Sequence, residues 1–246
     1  MPGGSPLQRQ LDGVRNIFDT SARSGDRVLA IHFTDGGRPV DPAIYDAIFR
    51  RLDALVGFGP DDAVLEVGAG SGLLLERIAP HVRSCHGTDI SEEILRLMPP
   101  LPNVELRRMD SDALGFPDAA FDKVVLNTVI QLFPDASYAR RCVAEMVRVC
   151  KPGGFVYIGD VFNAYLEREY LAETRRPPTL RERAEALARR LLGRPEGGYR
   201  ILFLYPHQLH AWASELGCHD CKVLLEVDEV KPYLFRKYRF DALIRK

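Results

Sequence analysis

Three glycines spaced two residues apart follow a short apolar run, with a carboxylate two positions ahead of them: Glu66-Val67-Gly68-Ala69-Gly70-Ser71-Gly72. Glycines between a strand and a helix let the backbone approach a ligand lying on the helix N-terminus. A dinucleotide fingerprint needs its third glycine at position 73, where this chain has Leu73. Glu66 points to another ligand: a carboxylate there repels a pyrophosphate and suits a group that bears an ammonium. Asp89, at the end of the next apolar run, stands at the distance expected of an acid that holds ribose hydroxyls. Two plainer roles stay open. The glycines could serve only close strand–helix packing, and Asp89 only a helix cap.

Other reactive side chains are more scattered. His32 and Tyr45 lie in the N-terminal part, and His207 and His210 stand three apart, on one face of a helix that could equally present them to solvent. These three histidines are the candidate bases. His86 falls inside a strand and reads as structural. Asn127, Thr128 and Gln131 follow the fourth apolar run, and Asp160 and Asn163 follow the fifth. Ligands of open α/β sheets bind beyond the carboxyl ends of the strands, so Gln131 and Asp160 are candidate substrate contacts, with Tyr45 of the N-terminal part a third. Cys218-His219-Asp220-Cys221 supplies too few ligands for a structural zinc, and no second pair completes it. No metal is expected.

The elements that must position these groups follow from periodicity and turn chemistry. Ile44, Ile48, Phe49, Leu52 and Leu55 mark one face of a helix opened by Asp41-Pro42. Ser21 to Val40 is polar and glycine-containing, which predicts a mobile segment. Strands are expected at Ala63–Gly68, Arg83–Asp89, Val104–Asp110, Phe121–Thr128 and Phe155–Ile158. Helices are expected at Leu73–Val82, after the cap Ser91, and at Asp135–Cys150, which Lys151-Pro-Gly-Gly154 stops. This alternation predicts a mostly parallel sheet covered on both faces. Residues 163–197 break it with interleaved Arg and Glu and Pro177-Pro178. Pro206–Leu216 is another helix, and Lys222–Val230 and Tyr233–Ile244 make a hairpin about Lys231-Pro232.

With 246 residues, 46% apolar and 27% charged, the chain fits one soluble globular domain. A net charge of −1 gives no pull toward nucleic acid or an anionic membrane. The N-terminus lacks the apolar core of a signal peptide, and no run approaches a bilayer span. Five scattered cysteines argue for a reducing cytoplasm rather than a disulfide framework.

Leu65-Glu-Val-Gly-Ala-Gly-Ser-Gly72 resembles the first motif of class I S-adenosylmethionine-dependent methyltransferases, and Gly87-Thr-Asp-Ile-Ser91 resembles the second. Met109 to Asp122 is similar to the third, and Glu145 to Gly154 to the family's turn from helix into the fifth strand. The resemblance covers roughly residues 60 to 160. It implies a doubly wound, mostly parallel seven-stranded α/β sheet ending in an antiparallel hairpin, with S-adenosyl-L-methionine as cofactor and S-adenosyl-L-homocysteine as product. It implies cofactor contacts from Glu66, Gly68, Ala69, Gly70, Gly72, Asp89, Ile90 and Asn127, with Asp110 at the adenine amine and the Ser111 backbone at a ring nitrogen. The departure at Gly115, where many relatives have proline, is not expected to matter.

A single domain follows: an N-terminal helical lid over 1–60, a cofactor-binding core over 61–162, a helical insertion or substrate cap over 163–205, and a closing helix and hairpin over 206–246. The expected reaction is methyl transfer to an oxygen or nitrogen of a small metabolite. An RNA- or protein-modifying methyltransferase would need a basic docking surface, which the balanced charge does not favour. A non-catalytic cofactor-binding regulatory subunit is the rival from another class. The insertion could form a solvated face, a substrate cap or a homodimer contact.

Overall fold

Short strands whose successive apolar side chains face opposite ways need cover on both sides, and the computed structural model shows that arrangement. It describes residues 5–31, 34–35, 38–39, 41, 43–174, 200–225 and 236–246. Helices α1 (Pro6–Ala22), α2 (Arg27–Ala30) and α3 (Ile44–Val56) precede the main sheet, with a two-residue antiparallel pair, β1 (Thr34–Asp35) and β2 (Arg38–Pro39), between α2 and α3. There follow β3 (Ala63–Val67), α4 (Leu75–Ile78), β4 (Ser84–Asp89), α5 (Glu92–Leu95), β5 (Val104–Arg108), β6 (Phe121–Asn127), α6 (Ala136–Val149) and β7 (Cys150–Phe162). After them come α7 (Glu167–Thr174), α8 (Pro206–Glu215), β8 (Asp220–Leu224) and β9 (Arg239–Arg245).

The seven-stranded sheet runs β5-β4-β3-β6-β7-β9-β8, with its first five strands parallel and β9 antiparallel to both β7 and β8. Leu65, Val67, Val124, Leu126, Val156 and Ile158 face a core shared with α6 and α8. Their alternates Val64, Val125 and Tyr157 face a second core shared with α3 and α4. Chain order reverses between β3 and β6, and the crevice beyond their carboxyl ends is where an open α/β sheet takes its ligand.

The structure redraws several boundaries. Lys151 to Gly154 does not merely stop α6: it lies within β7, where Cys150 pairs with Phe121 and Lys151 Nζ holds Asp122 at 2.9 Å. At its other end β7 continues to Phe162 because Val161 and Phe162 pair with Phe240 and Arg239 of β9. The helix expected over Leu73–Val82 is α-helical only from Leu75 to Ile78, then tightens through Ala79-Pro80-His81. The helix expected to open at Asp41-Pro42 begins at Ile44 with Ala43 at its cap, and Asp41 accepts the Ala43 N–H at 2.9 Å in the turn before it. The segment expected to be mobile, Ser21 to Val40, holds α2 and the β1–β2 pair. Most of the charged insertion, 175–199, and the Lys231-Pro232 turn lie outside the described residues. Among the described residues no helix is long and apolar enough to cross a membrane.

Candidate active site

The chain leaves β3 with Gly68 at φ +74°, and the N–H groups of Gly68 and Ala69 both donate to the Thr88 carbonyl, at 2.7 and 2.8 Å. A side chain at Gly68 would place its Cβ 2.5 Å from Val129 Cγ2, so only glycine lets the loop after β3 close on the loop after β6. Asp89, at the end of β4, fixes the turn from the other side. Its Oδ2 accepts the Gly70 N–H at 3.0 Å and its Oδ1 the Ser91 N–H at 2.9 Å. Gly72 serves the packing behind the loop, where it stands against Met98 and does not line the cleft.

N-terminal residues lock this loop and roof the space before it. Arg27 donates from Nε and Nη2 to the Ser71 carbonyl at 3.1 and 2.7 Å and pairs through Nη1 with Glu76 at 2.7 Å, while Ser71 Oγ donates back to the Arg27 carbonyl at 2.8 Å. Arg27→Ala is expected to cost about 1–2 kcal/mol of stability, since it leaves a carbonyl and a carboxylate without their donor; denaturant unfolding checks it. Ser91 Oγ donates to Asp19 of α1 at 2.5 Å. Leu11, Val14 and Phe18 of α1 line the cleft together with Ile31, Val129 and Leu132, and Ile31 and Val129 stand against the glycine loop. The spacing of Leu11, Val14 and Phe18 marks a helix face, a signal that could have placed them at the site.

The cleft is acidic at its floor. Glu66 is 4% exposed, lines the cleft, and its Oε2 has no hydrogen-bond partner. Burial, and then the charge of Asp89, hold its pKa well above the ordinary carboxylate range. Burial likewise pushes Asp89 up to about 6, against the opposing pull of its backbone donors. Tyr45 reaches the same cleft, and burial, Glu66 and Asp160 raise its hydroxyl further above its usual value.

Of the other residues singled out by sequence, Ala69, Gly70, Ile90, Ser111 and Asn127 line the cleft. Asp110 is half-buried outside the wall, with Arg108 Nη2 at 3.8 Å. Asp160 is buried behind the wall, pairs with Arg239, and gives its N–H to Asp241 at 2.8 Å. Gln131 is also buried, its Nε2 donating to the Thr128 carbonyl at 2.8 Å. His207 and His210 are exposed and off the cleft, with the Tyr165 hydroxyl 3.2 Å from His207 Nδ1. His32 lies outside the described residues. Phe133 and Tyr138, which composition did not mark, form an edge-on pair with centroids 4.9 Å apart on the wall that also holds Ser111.

Thr128 is the strained residue of the wall. Its φ is +60°, unusual for a β-branched side chain, and its Oγ1 accepts the Asn127 Nδ2–H at 3.0 Å. Strain of this kind concentrates at functional sites. Thr128→Gly is therefore expected to leave the melting temperature unchanged or raised, where a relaxed threonine would lose stability; differential scanning calorimetry reads this directly.

Residues 65–158, which hold the β3 glycine loop, the acid ending β4 and the strands at the reversal of chain order, match the methyltransferase domain family. In fold the chain resembles class I S-adenosylmethionine-dependent methyltransferases. It is 43% identical over 123 residues to chondramide synthase cmdD of Chondromyces crocatus, covering 47% of this chain and 3% of that protein. It is 38% identical over 134 residues to a phosphatidylethanolamine N-methyltransferase of Cereibacter sphaeroides, covering 49% of this chain and 64% of that one. The chain thus spans less than two thirds of the length of either relative. In fold it resembles Haemonchus contortus phosphoethanolamine N-methyltransferase 1, solved with phosphoethanolamine and S-adenosylhomocysteine, at a TM-score of 0.67 and 12% identity over 99% of this chain and 50% of that one.

The class takes S-adenosylmethionine, and the residues here fit it. The partnerless Oε2 of Glu66 is a buried acceptor that matches the donors of an amino-acid ammonium. Asp89 accepts backbone N–H groups of the loop, and a carboxylate has lone-pair sites beyond these for ribose hydroxyls. Among the described residues no cluster of His, Cys, Asp and Glu could hold a metal ion.

Proposed function

We propose that this chain transfers a methyl group from S-adenosylmethionine to an oxygen or nitrogen of a small metabolite. The observation that carries this is the buried, partnerless Glu66 carboxylate oxygen in a cleft lined on one side by Leu11, Val14 and Phe18 of α1. An apolar-lined cleft with Glu66 and Asp89 as its only described charges suits a small acceptor better than RNA. The cofactor supplies a methyl group on a positively charged sulfur. The chain's part is positioning and exclusion of water: Glu66 and Asp89 hold the two ends of the donor's polar groups, the glycine loop brings backbone against it, and Leu11, Val14 and Phe18 keep the cleft dry. Work in a reducing cytoplasm is supported by the five cysteines, all of them free thiols.

The test supplies labelled S-adenosylmethionine together with a cell extract split into small metabolites and macromolecules. Label transferred into the small-metabolite fraction is the expected result. Label only in RNA or protein contradicts the reading, and binding with no transfer to either fraction points to a regulatory subunit.

A further inference from the structure

The direction in which Asp89 points is set by two backbone segments, one on each side of it. Its Oδ2 is held by the Gly70 N–H and its Oδ1 by the Ser91 N–H. Each of these segments is gripped in turn by a charged side chain from the N-terminal helices. On the glycine side, Arg27 of α2 donates twice to the carbonyl of Ser71, the residue next to Gly70, and Glu76 holds the guanidinium at 2.7 Å. Ile31, just past α2, presses on the same segment, 2.8 Å from where a Cβ on Gly70 would stand. On the other side, the hydroxyl of the fully buried Ser91 accepts the Ile94 N–H and donates to Asp19 of α1 at 2.5 Å. A serine hydroxyl has one proton to give, and here Asp19 takes it.

Neither Asp19 nor Arg27 lines the cleft, yet both act on the segments that aim its acid. The loop they brace needs support. Gly68, Gly70 and Gly72 stand at φ +74°, +54° and +76°, and glycines move between such conformations and others at little cost. Fixing a loop in its binding conformation before the ligand arrives removes an ordering cost from the binding step. The same helices are docked by apolar contacts, with Val14, Phe18 and Ala22 of α1 and Ala30 of α2 packed in one cluster with Ile94 of α5. Ser91 caps that helix, so the apolar contacts and the Asp19 bond hold one unit.

We propose that Asp19 and Arg27 are positioning residues for the donor's ribose: without touching it, they hold the Ser91 and Gly70–Ser71 backbone that aims Asp89. This rests on the reading of Asp89 as the acid that holds the ribose hydroxyls, and deepens it. A ligand that engages Asp89 and the docking of α1 and α2 then favour one another, since a coupling between two sites acts equally in both directions. Loss of either brace lets the Asp89 turn sample other arrangements, and affinity falls by the share of them that cannot bind.

The experiment titrates the full chain with S-adenosylhomocysteine and with its 2′,3′-dideoxy analogue, which lacks the ribose hydroxyls. Asp19→Ala and Arg27→Ala should each weaken binding of the first about tenfold, within the usual range of a coupling between sites. Binding of the analogue should stay near its wild-type level. Asp19→Asn should restore most of the loss, because an amide oxygen still accepts the Ser91 hydroxyl. In an Asp89→Ala background, Asp19→Ala should weaken binding no further. Wild-type affinity in either alanine variant overturns the proposal. So does an equal loss toward the analogue, which would mark the braces as supports of the fold alone. A second measurement needs no variant: with both ligands saturating, S-adenosylhomocysteine should slow amide hydrogen exchange in α1 and α2 more than the analogue does, and equal protection overturns the proposal. Unchanged binding in Asp89→Ala by itself would instead overturn the Asp89 assignment beneath it.

Discussion

Asp89→Ala is expected to weaken S-adenosylmethionine binding about 100-fold. Two ribose hydroxyls donating to one carboxylate make charge-assisted hydrogen bonds worth about 1.5 kcal/mol each at the low end, and about 3 kcal/mol corresponds to that factor. From sequence alone, the substitution removes ligand contacts and spares the fold. The structure adds a second cost, because the same carboxylate accepts the Gly70 and Ser91 N–H groups. Asp89→Ala should therefore also destabilise the cofactor-free protein, by about 1–2 kcal/mol. Asp89→Asn separates the two effects in part, since an amide oxygen can still accept one loop N–H while the charge is gone. The wild-type protein carries the same signature in its pH profile. With Asp89 held near a pKa of about 6, cofactor affinity should fall as pH drops through that value, because the protonated acid is a poorer acceptor. Isothermal calorimetry reads both effects. An unchanged dissociation constant in Asp89→Ala would remove this residue from the cofactor site.

Glu66→Gln should move stability and affinity in opposite directions. An ammonium bound to a buried carboxylate is worth about 2 kcal/mol beyond a neutral contact, so affinity should drop roughly 30-fold. The cofactor-free protein, by contrast, should gain about 1–2 kcal/mol at alkaline pH, where the wild type buries a carboxylate oxygen that has no partner. The sign follows from the raised pKa. Above the ordinary value of 4.5 the folded state holds a proton that the unfolded chain has released, so this group's contribution to stability is fully present below 4.5 and falls as pH rises from there. In Glu66→Gln that decline should be reduced. Cofactor binding supplies the missing cation and favours the ionised carboxylate, so binding should release a proton near neutral pH. Calorimetry in buffers of different ionisation enthalpy measures the release, which should be smaller in Glu66→Gln. A cofactor-free variant less stable than wild type at alkaline pH would contradict the burial argument.

The sheet was legible where periodicity and turn chemistry agreed. Ala63 to Val67 reads as a buried strand because a glycine loop stops it, and Ser91 reads as a cap, where its side chain accepts the Ile94 N–H; Asp135, read only as the start of a helix, caps α6 through the Tyr138 N–H. Boundaries set by pairing partners were not legible. β7 extends from Cys150 to Phe162 because Phe121 at one end and Arg239 and Phe240 at the other pair with it, and no local signal carries that. At the site, Glu66 and Asp89 stand out because a carboxylate beside a glycine loop is chemically specific. Gly72 stands against Met98, so close packing behind the loop asks for a glycine there as much as a ligand would. The exposed His207 and His210 show the limit of arguing from residue type, because helical spacing fixes which face they share but not what that face meets. The α1 wall of Leu11, Val14 and Phe18 was readable as an amphipathic face, while its place over the cofactor cleft depends on contacts such as Asp19 with Ser91, 72 residues apart.

Calorimetric titration of the purified protein with S-adenosylmethionine, S-adenosylhomocysteine and NAD in turn puts the cofactor assignment at greatest risk. The Glu66 carboxylate and the glycine loop predict micromolar binding of the first two and none of the third. Binding of NAD with no affinity for either sulfur compound would mean that Glu66 does not serve an ammonium, and that the cleft is a dinucleotide site after all.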